Sequence, residues 1–273
     1  MIGMKATVLV DNISANNVCG EWGLCVYIEY NGKNILLDAG SSDLFIENAE
    51  KLGKNLKKID YGVLSHAHYD HANGVPAFLE LNKKAKFYIS SNCEENCFNF
   101  VKVRHHYIGV PKNLLNTYKN RLVPVDGITE VSEGVWIVPH STEGLGAVGE
   151  KSRMYRRYGR RYIPDDFSHE QSLVFETEKG LVIFNSCSHS GPEVIVSEVK
   201  KAFPKKKIAA YIGGLHLFRR SNEDVLEFAE KLRKTGIKKI YTGHCTGERP
   251  FNILKEELGD KVEHLCSGLV MEF

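Results

Sequence analysis

The chain has 273 residues, of which 42% are hydrophobic and 26% are charged, and its formal net charge is +2. These proportions are typical of a globular protein with a substantial core, and the balanced charge gives no sign of a nucleic-acid or membrane partner. No stretch approaches the ~18 consecutive apolar residues of a membrane span, and "MIGMKATVLV" lacks the regions of a signal peptide. The seven cysteines are irregularly spaced, so we expect reduced thiols and a cytoplasmic location.

The first part of the chain predicts strands joined by turns. "KATVLV", "LCVYIEY" and "KNILLDAG" are short and rich in branched or aromatic residues, and Asn31-Gly32 is a hairpin signal between the last two. "DLFIENAEKLG" has helical spacing and ends at Gly53. "IDYGVLS" predicts a buried strand that runs into a histidine-rich stretch, after which "GVPAFLELN" predicts a helix.

The rest of the chain alternates strands and helices. Strands are predicted at "KFYIS", "RLVPV", "GVWIVP", "KIAAYIGGL", "KKIYTG" and "LVMEF", and a second hairpin at "SLVFETEKGLVIFNS". Helices are predicted at "PEVIVSEVKKAF", "RPFNILKEELG" and "SNEDVLEFAEKLRKTG", the last capped by Ser221 and ended by Gly236. This order predicts an α+β fold in which two sheets pack together with helices outside, as one domain over residues 1–273. Residues 141–168 show no clear period and predict a long active-site loop.

The stretch "SHAHYDHANG" carries three histidines and an aspartate within six residues. His66 and His68 follow a strand, where side chains two apart point the same way, and they can bind one metal together. Asp70 and His71 come as the chain turns into a helix and can serve a second position. A polar loop with incidental histidines is the alternative, and the density of ligand types after an apolar strand argues against it.

Four ligands do not complete two metal sites, so others must come from later in the chain. "VIFNSCSHSG", "YIGGLHLF" and "IYTGHCTG" each place a histidine after an apolar strand and small residues. His189, His216 and His244 are therefore candidates to join the cluster at one rim of the fold. Each alone reads equally well as a structural histidine.

These motifs resemble a known family. "SHAHYDH" is similar to the H-x-H-x-D-H signature of the metallo-β-lactamase superfamily, whose fold is a four-layer αβ/βα sandwich. With "LLDAG", "SCSHSG", "GGLHL" and "GHCTG", the chain resembles more closely the 7,8-dihydropterin-6-methyl-4-(β-D-ribofuranosyl)aminobenzene-5'-phosphate synthases.

The resemblance implies two divalent metal ions, with zinc expected and manganese, iron or nickel left open. His66, His68 and His189 would bind one ion, and Asp70, His71 and His244 the other, with Asp70 or a water as the bridge. Asp38, Cys187 and His169 would support the ligands without binding a metal themselves, and Asp70 and His216 are the candidate catalytic residues. The chain departs from the family in two places: Cys187 stands where many relatives carry a bridging aspartate, and the histidine of an H-T-P-G-H motif is missing near His169.

A two-metal centre suits hydrolysis of esters or lactams, and it equally suits a transfer in which pyrophosphate leaves. "KSRMYRRYGRRY" adds six cationic residues and three tyrosines without an acid. Arginine forks suit phosphates and tyrosines stack on flat rings, so Arg156, Arg157, Arg160 and Arg161 are candidate substrate-binding residues. A solvated basic loop is the alternative.

We expect a hydrolase or transferase acting on a small phosphorylated, pterin-like molecule. A nuclease or phosphodiesterase of the same fold is the second reading, although the near-neutral charge argues against nucleic acid. A non-catalytic metal-binding or redox-sensing protein is the third. The oligomeric state is left open.

Overall fold

The computed structural model describes residues 3–15, 17–140 and 142–273. Their strands, in chain order, are β1 (Met4–Val10), β2 (Cys25–Tyr30), β3 (Lys33–Leu37), β4 (Tyr61–Val63), β5 (Lys86–Ser90), β6 (Cys97–Val101), β7 (Arg104–Tyr107), β8 (Leu122–Val125), β9 (Thr129–Ser132), β10 (Val135–Pro139), β11 (Met154–Tyr158), β12 (Arg161–Pro164), β13 (Gln171–Thr177), β14 (Gly180–Phe184), β15 (Ile208–Ile212), β16 (Lys239–Thr242), β17 (Val262–His264) and β18 (Val270–Glu272). The helices are α1 (Leu44–Lys51), α2 (Tyr69–Ala72), α3 (Val75–Leu81), α4 (Leu114–Thr117), α5 (Gly146–Ser152), α6 (Pro192–Ala202), α7 (Asn222–Thr235) and α8 (Glu248–Leu258). None of these helices is long and apolar enough to cross a membrane.

Two seven-stranded sheets form the centre of the molecule, in the orders β18-β1-β2-β3-β4-β5-β8 and β17-β16-β15-β14-β13-β10-β9. Buried side chains of both sheets, including Ile28, Val63, Phe175 and Phe184, make one core between them. Two further cores lie outside, one between the first sheet and helices α1 and α3, the other between the second sheet and helices α6, α7 and α8. The layers are helix, sheet, sheet, helix, which confirms the predicted α+β sandwich.

Local sequence signals place the elements as predicted. Asn31 and Gly32 both have positive φ, as a two-residue turn between twisted strands requires, and Tyr30 pairs with Lys33 across it. The Ser221 hydroxyl accepts the backbone N–H of Asp224 at the start of α7, and Gly236 ends that helix in the left-handed region.

The segment 141–168 differs from the predicted irregular loop. Ser141 lies outside the described residues; the remainder contains helix α5 and the hairpin β11–β12, which joins β6 and β7 in a third sheet of order β12-β11-β6-β7. The alternation of apolar and polar residues that marks a strand is missing here, because one face of this small sheet is open to solvent. Polar and aromatic side chains stack on one another on that face. The His105 and Tyr162 rings, for example, stack with centroids 3.6 Å apart.

Candidate metal centre

The predicted metal ligands converge at one edge of the sandwich. His66 and His68 follow β4, His189 follows β14, and His244 follows β16. β4 runs parallel to β3 in the first sheet, and β14, β15 and β16 run parallel to one another in the second, so their carboxyl ends meet at this edge. The six predicted ligands are all buried.

His66, His68 and His189 form a first triad, with one ligand atom from each lying within 4.8 Å of the others. His68 Nδ1 lies 3.0 Å from His189 Nε2, and His66 Nε2 is buried without a hydrogen-bond partner. An unpaired buried ring nitrogen is costly in a protein interior, and a cation would satisfy it. These residues therefore fit a metal ion.

Asp70, His71 and His244 form a second triad within the same distance limit. The Nε2 atoms of the two histidines lie 3.2 Å apart, and Asp70 Oδ2 lies 3.4 Å from His244 Nε2. Two imidazoles and one carboxylate facing a common point are a donor set that suits zinc and other divalent transition metals.

Neighbouring groups orient the ligands through their other ring nitrogens. His71 donates Nδ1–H to Asp38 Oδ2 at 2.7 Å, and Asp38 also accepts hydrogen bonds from Ser65 and Ser186. The Ser65 hydroxyl lies 2.8 Å from His66 Nδ1, and Asn12 Oδ1 lies 3.0 Å from His244 Nδ1. Such contacts fix the tautomer and direct the free nitrogen at the site.

Sequence reasoning missed Ser65 and Asn12. The signal was present for Asn12, because "VLVDN" places polar residues after a strand just as the histidine motifs do. Asp11, beside Asn12, accepts the backbone N–H of His244, and burial raises the pKa of its carboxyl to about 6.

The electrostatics favour neutral imidazoles in the first triad. Burial, followed by the neighbouring histidines, lowers the pKa values of His66, His68 and His189, that of His68 to about 3. In the second triad, burial acts to raise the pKa of Asp70, but the His71 and His244 rings hold it well below its usual range. Burial acts to lower the pKa of His244, but the neighbouring Asp70 raises it to about 9. Neutral imidazoles and an ionised carboxylate are the forms that bind metals.

Backbone strain is concentrated around the two triads. Asp38, Ser188, His216 and His244 all have positive φ, which non-glycine residues seldom adopt. Gly214 makes room for this packing, because a Cβ there would overlap Cys245 Sγ. Strained residues of this kind cluster at functional sites, where the surrounding structure holds them.

Cys187, predicted to support the metal ligands without binding a metal, has its thiol among the candidate ligand atoms. Its Sγ is 3.3 Å from His71 Nε2, and its thiol falls within 4.8 Å of ligand atoms of His66, His71, His244 and Cys245. Cys245 donates its thiol to the carbonyl oxygen of Cys187 at 3.6 Å. Burial raises the pKa of the Cys187 thiol; burial acts the same way on Cys245, but hydrogen bonds from Cys187 and His216 lower the pKa of Cys245 below its usual value.

His169 lies behind His68 in a further buried cluster with Cys97 and Asp165. Its Nδ1 accepts the backbone N–H of Ala67 at 3.2 Å, and its Nε2 lies 3.2 Å from Asp165 Oδ2. Because Nδ1 accepts a hydrogen bond, Nε2 carries a proton and donates it to Asp165. His169 therefore supports the loop that carries the first triad.

A cavity of about 540 Å³ opens onto the triads, and His68, Asp70, Cys187 and His189 contribute to its lining. His216 also lines it, with its ring 4.4 Å from that of His189. Aromatic residues form much of the wall, and Trp22 and Phe218 meet edge to face at 5.6 Å. Four cationic side chains complete it: Lys151, Arg153, Arg219 and Arg220.

The four arginines predicted to bind substrate are absent from the lining of this cavity. Arg156 is buried, and it donates to Ser168 Oγ at 2.9 Å and to the carbonyl oxygen of Asn92 at 2.9 Å. This arrangement does not support a phosphate-binding role for Arg156. Arg157 on β11, Arg160 in the turn and Arg161 on β12 are all exposed, and their contact with substrate stays a prediction.

Comparison with known proteins identifies the family. Residues 23–244 match the sequence model of the metallo-beta-lactamase superfamily. The chain belongs to this superfamily. It is 31% identical over 265 residues, 91% of this chain and 88% of the relative, to the 7,8-dihydropterin-6-methyl-4-(beta-D-ribofuranosyl)-aminobenzene-5'-phosphate synthase of Methanocaldococcus jannaschii.

Solved structures of the metallo-β-lactamase superfamily confirm the fold. The crystal structure of a metal-dependent hydrolase of the beta-lactamase superfamily has a TM-score of 0.83 and 26% identity, with 99% of both chains covered. A diphosphatase from the PhnP family has a TM-score of 0.58 and 17% identity, covering 99% of this chain and 98% of its own, and it shows a likeness of fold alone.

Proposed function

We propose that the protein is a two-metal enzyme, a hydrolase or transferase, that acts on a small phosphorylated molecule with a flat ring. The observation that carries the proposal is the pair of buried ligand triads at the floor of a cavity with aromatic and cationic walls. His66, His68 and His189 would hold one divalent ion, and Asp70, His71 and His244 the other. Divalent ions bound there would supply Lewis acidity toward phosphate oxygens and a more acidic water.

The chain's own residues define how substrate would sit. A cavity of about 540 Å³ is in the usual range for small-molecule sites. The Trp22 and Phe218 rings offer faces and edges for an aromatic ring, and Arg153, Arg219 and Arg220 offer charge-assisted hydrogen bonds to a phosphate. The name of the Methanocaldococcus jannaschii relative, at 31% identity, describes a product with both a dihydropterin and a phosphate.

His216 is the proposed proton carrier. Its ring is half-buried at the cavity wall, and its Nδ1 has no hydrogen-bond partner among the described residues. An imidazole that lines the cavity beside the first triad would take a proton from, or deliver one to, a reacting group. Asp70 would contribute negative charge to the second triad, and it also lines the cavity.

Turnover assays on zinc-loaded protein test the function. We expect pyrophosphate release from a dihydropterin methyl pyrophosphate with a ribofuranosyl-aminobenzene phosphate acceptor, or else phosphate-ester hydrolysis in a panel that includes bis(p-nitrophenyl) phosphate. Acceptor-dependent pyrophosphate release would identify a transferase, and acceptor-independent release a hydrolase. Activity on labelled RNA with none on small molecules would contradict the proposal in favour of a nuclease, and fully metallated protein without any turnover would contradict it in favour of a metal-binding protein.

We also propose that the enzyme works in the cytoplasm. All seven cysteines are unpaired, and several lie beside the metal-binding triads. Thiols in such positions stay available for their site in a reducing compartment.

A further inference from the structure

The two triads share a neighbour that is neither histidine nor carboxylate. Cys187 Sγ groups with ligand atoms of His66 and His71, and it groups again with those of His244 and Cys245. His66 belongs to the first triad, whereas His71 and His244 belong to the second. The thiol therefore lies between the two positions where metal ions would bind.

Asp70 is placed differently. Its Oδ2 lies 3.4 Å from His244 Nε2 and 3.8 Å from His71 Nε2, both in the second triad. Among the described residues, no group of ligand atoms within the same distance limit joins Asp70 to the first triad. Asp70 would therefore serve the ion of the second triad alone, which leaves Cys187 as the residue placed between the triads.

The local structure holds the Cys187 thiol in this position. Cys187 is 2% exposed and follows β14 in a turn where the Ser188 N–H donates to Asn185 Oδ1 at 2.9 Å and the Ser188 hydroxyl lies 2.6 Å from the carbonyl oxygen of Gly214. His71 Nε2, directed at the site because its Nδ1–H is held by Asp38, is 3.3 Å from the sulfur. His66 Nε2 is buried and unpartnered in the same group.

We infer that the thiolate of Cys187 bridges the two metal ions of this centre, in place of an oxygen ligand. The inference rests on the proposed two-metal function. The metal–sulfur bonds form as the thiol loses its proton to buffer, with no change of oxidation state. Cys245, whose thiol donates to the Cys187 carbonyl oxygen, supports the bridge without binding an ion.

A sulfur bridge has a consequence for metal choice. Thiolate with imidazole ligands suits zinc, and cobalt(II) as its spectroscopic substitute, whereas manganese and magnesium favour oxygen ligands. The protein should therefore select zinc over manganese, and Cys187→Asp should reverse part of that preference by restoring an oxygen bridge.

Cobalt(II) substitution tests the bridge directly. Full-length protein loaded with two equivalents of Co²⁺ should show a near-ultraviolet sulfur-to-cobalt charge-transfer band. Cys187→Ser should abolish the band, whereas Cys245→Ser and Cys97→Ser, which remove the other buried thiols near the triads, should keep it. Retention of the band in Cys187→Ser, or its loss in Cys97→Ser or Cys245→Ser alone, would overturn the inference.

Chelator competition separates a bridge from a ligand of one ion. A bridging thiolate contacts both ions, so Cys187→Ser should weaken the binding of both. The loss of affinity should exceed roughly 100-fold, which is the upper range for removal of a residue that only supports a ligand. Weakening of only one ion would show a terminal ligand and overturn the bridge.

Two controls keep the outcome clear. If Cys187→Ser does not fold, as judged by circular dichroism, the wild-type spectrum tests the inference by itself. Wild-type protein with two bound Co²⁺ ions and no thiolate band would contradict it. Metal stoichiometry is measured in parallel: protein that binds no metal would contradict the proposed function, whereas two bound ions without a band contradict only the thiolate bridge.

Discussion

His71 donates its Nδ1–H to Asp38 Oδ2 at 2.7 Å, and both side chains are fully buried. The aspartate follows β3 in "LLDAG", and the histidine belongs to the cluster that follows the neighbouring strand β4, so this contact ties a candidate metal ligand to the end of β3. The same carboxylate accepts hydrogen bonds from the Ser65 and Ser186 hydroxyls. Asp38 therefore joins the loops that carry both triads.

Asp38→Asn should weaken metal binding by about 10–100-fold, because the amide holds His71 and its tautomer less well. Competition with a chromophoric chelator measures this change. Asp43→Asn is the matched control, since Asp43 is exposed and makes no side-chain cap on α1. Unchanged affinity in Asp38→Asn would contradict the orienting role.

The two triads should lose their ions independently. His189→Ala removes a ligand of the first triad and His244→Ala a ligand of the second, so each variant should retain about one ion where the wild type binds two. Elemental analysis after dialysis gives the stoichiometry. His106→Ala, in an exposed position on β7, should retain both ions; a wild-type stoichiometry of one would refute the two-metal centre.

Arg219→Ala should raise KM for a phosphorylated substrate about 10-fold or more, because a charge-assisted hydrogen bond is worth about 1.5–3 kcal/mol. Arg219 lines the cavity, and its guanidinium lies over the Phe218 ring at 5.1 Å. Steady-state kinetics on matched phosphorylated and unphosphorylated substrates measure the effect.

Arg160→Ala is the control for this kinetic test, because Arg160 lies at the hairpin turn outside the cavity lining. A larger increase in KM for Arg160→Ala than for Arg219→Ala would show that the hairpin binds the phosphate, as the sequence predicted.

Arg156→Ala should lower the free energy of unfolding by about 2 kcal/mol or more, because it leaves Ser168, Asn92 and Asn96 without their buried donor. Arg161→Ala, on the exposed hairpin, should change it by less than about 0.5 kcal/mol. Urea denaturation distinguishes the two. A stable Arg156→Ala protein with a raised KM would instead favour a role in substrate binding.

Glu170 should make the free energy of unfolding fall as the pH is lowered into the acidic range. Burial acts to raise its pKa, but hydrogen bonds from His140, Ser190 and the His189 N–H lower it from 4.5 to about 2. Because the folded-state pKa is the lower one, the ionised carboxylate stabilises the fold fully above about pH 4.5, and this contribution is lost as the pH falls toward about 2.

Glu170→Gln should therefore cost up to about 3 kcal/mol at pH 7, and the difference from wild type should shrink as the pH falls below about 4.5. Urea denaturation at several pH values follows this change. The exposed Glu178→Gln is the control at each pH. A cost that stays constant with pH would mean that the ionised form makes no special contribution.

The sequence by itself located much of the candidate metal centre, because ligand chemistry is local. A histidine after an apolar strand is recognisable without a fold, and the structure brings His66, His68, Asp70, His71, His189 and His244 together in two triads. The layers were equally readable, since strands buried on both faces and one-sided helices have distinct patterns. The Ser221 cap and the Asn31-Gly32 turn depend on neighbouring residues alone.

The sequence pattern did not indicate the small sheet β12-β11-β6-β7. Its strands are held by backbone pairing and by aromatic and cationic stacking on a face open to solvent, so apolar residues do not alternate with polar ones. The direction of each arginine was equally hidden: Arg156 points into the protein because Asn92, Asn96 and Ser168 surround it.

The position of Cys187 between the triads was decided only by the tertiary structure. A sequence shows that a thiol follows β14, but its distance from His66 and His71 depends on how the two sheets pack. The residues that follow β4, β14 and β16 are far apart in the chain, and only the packing of the sheets brings their side chains close enough to share a metal ion.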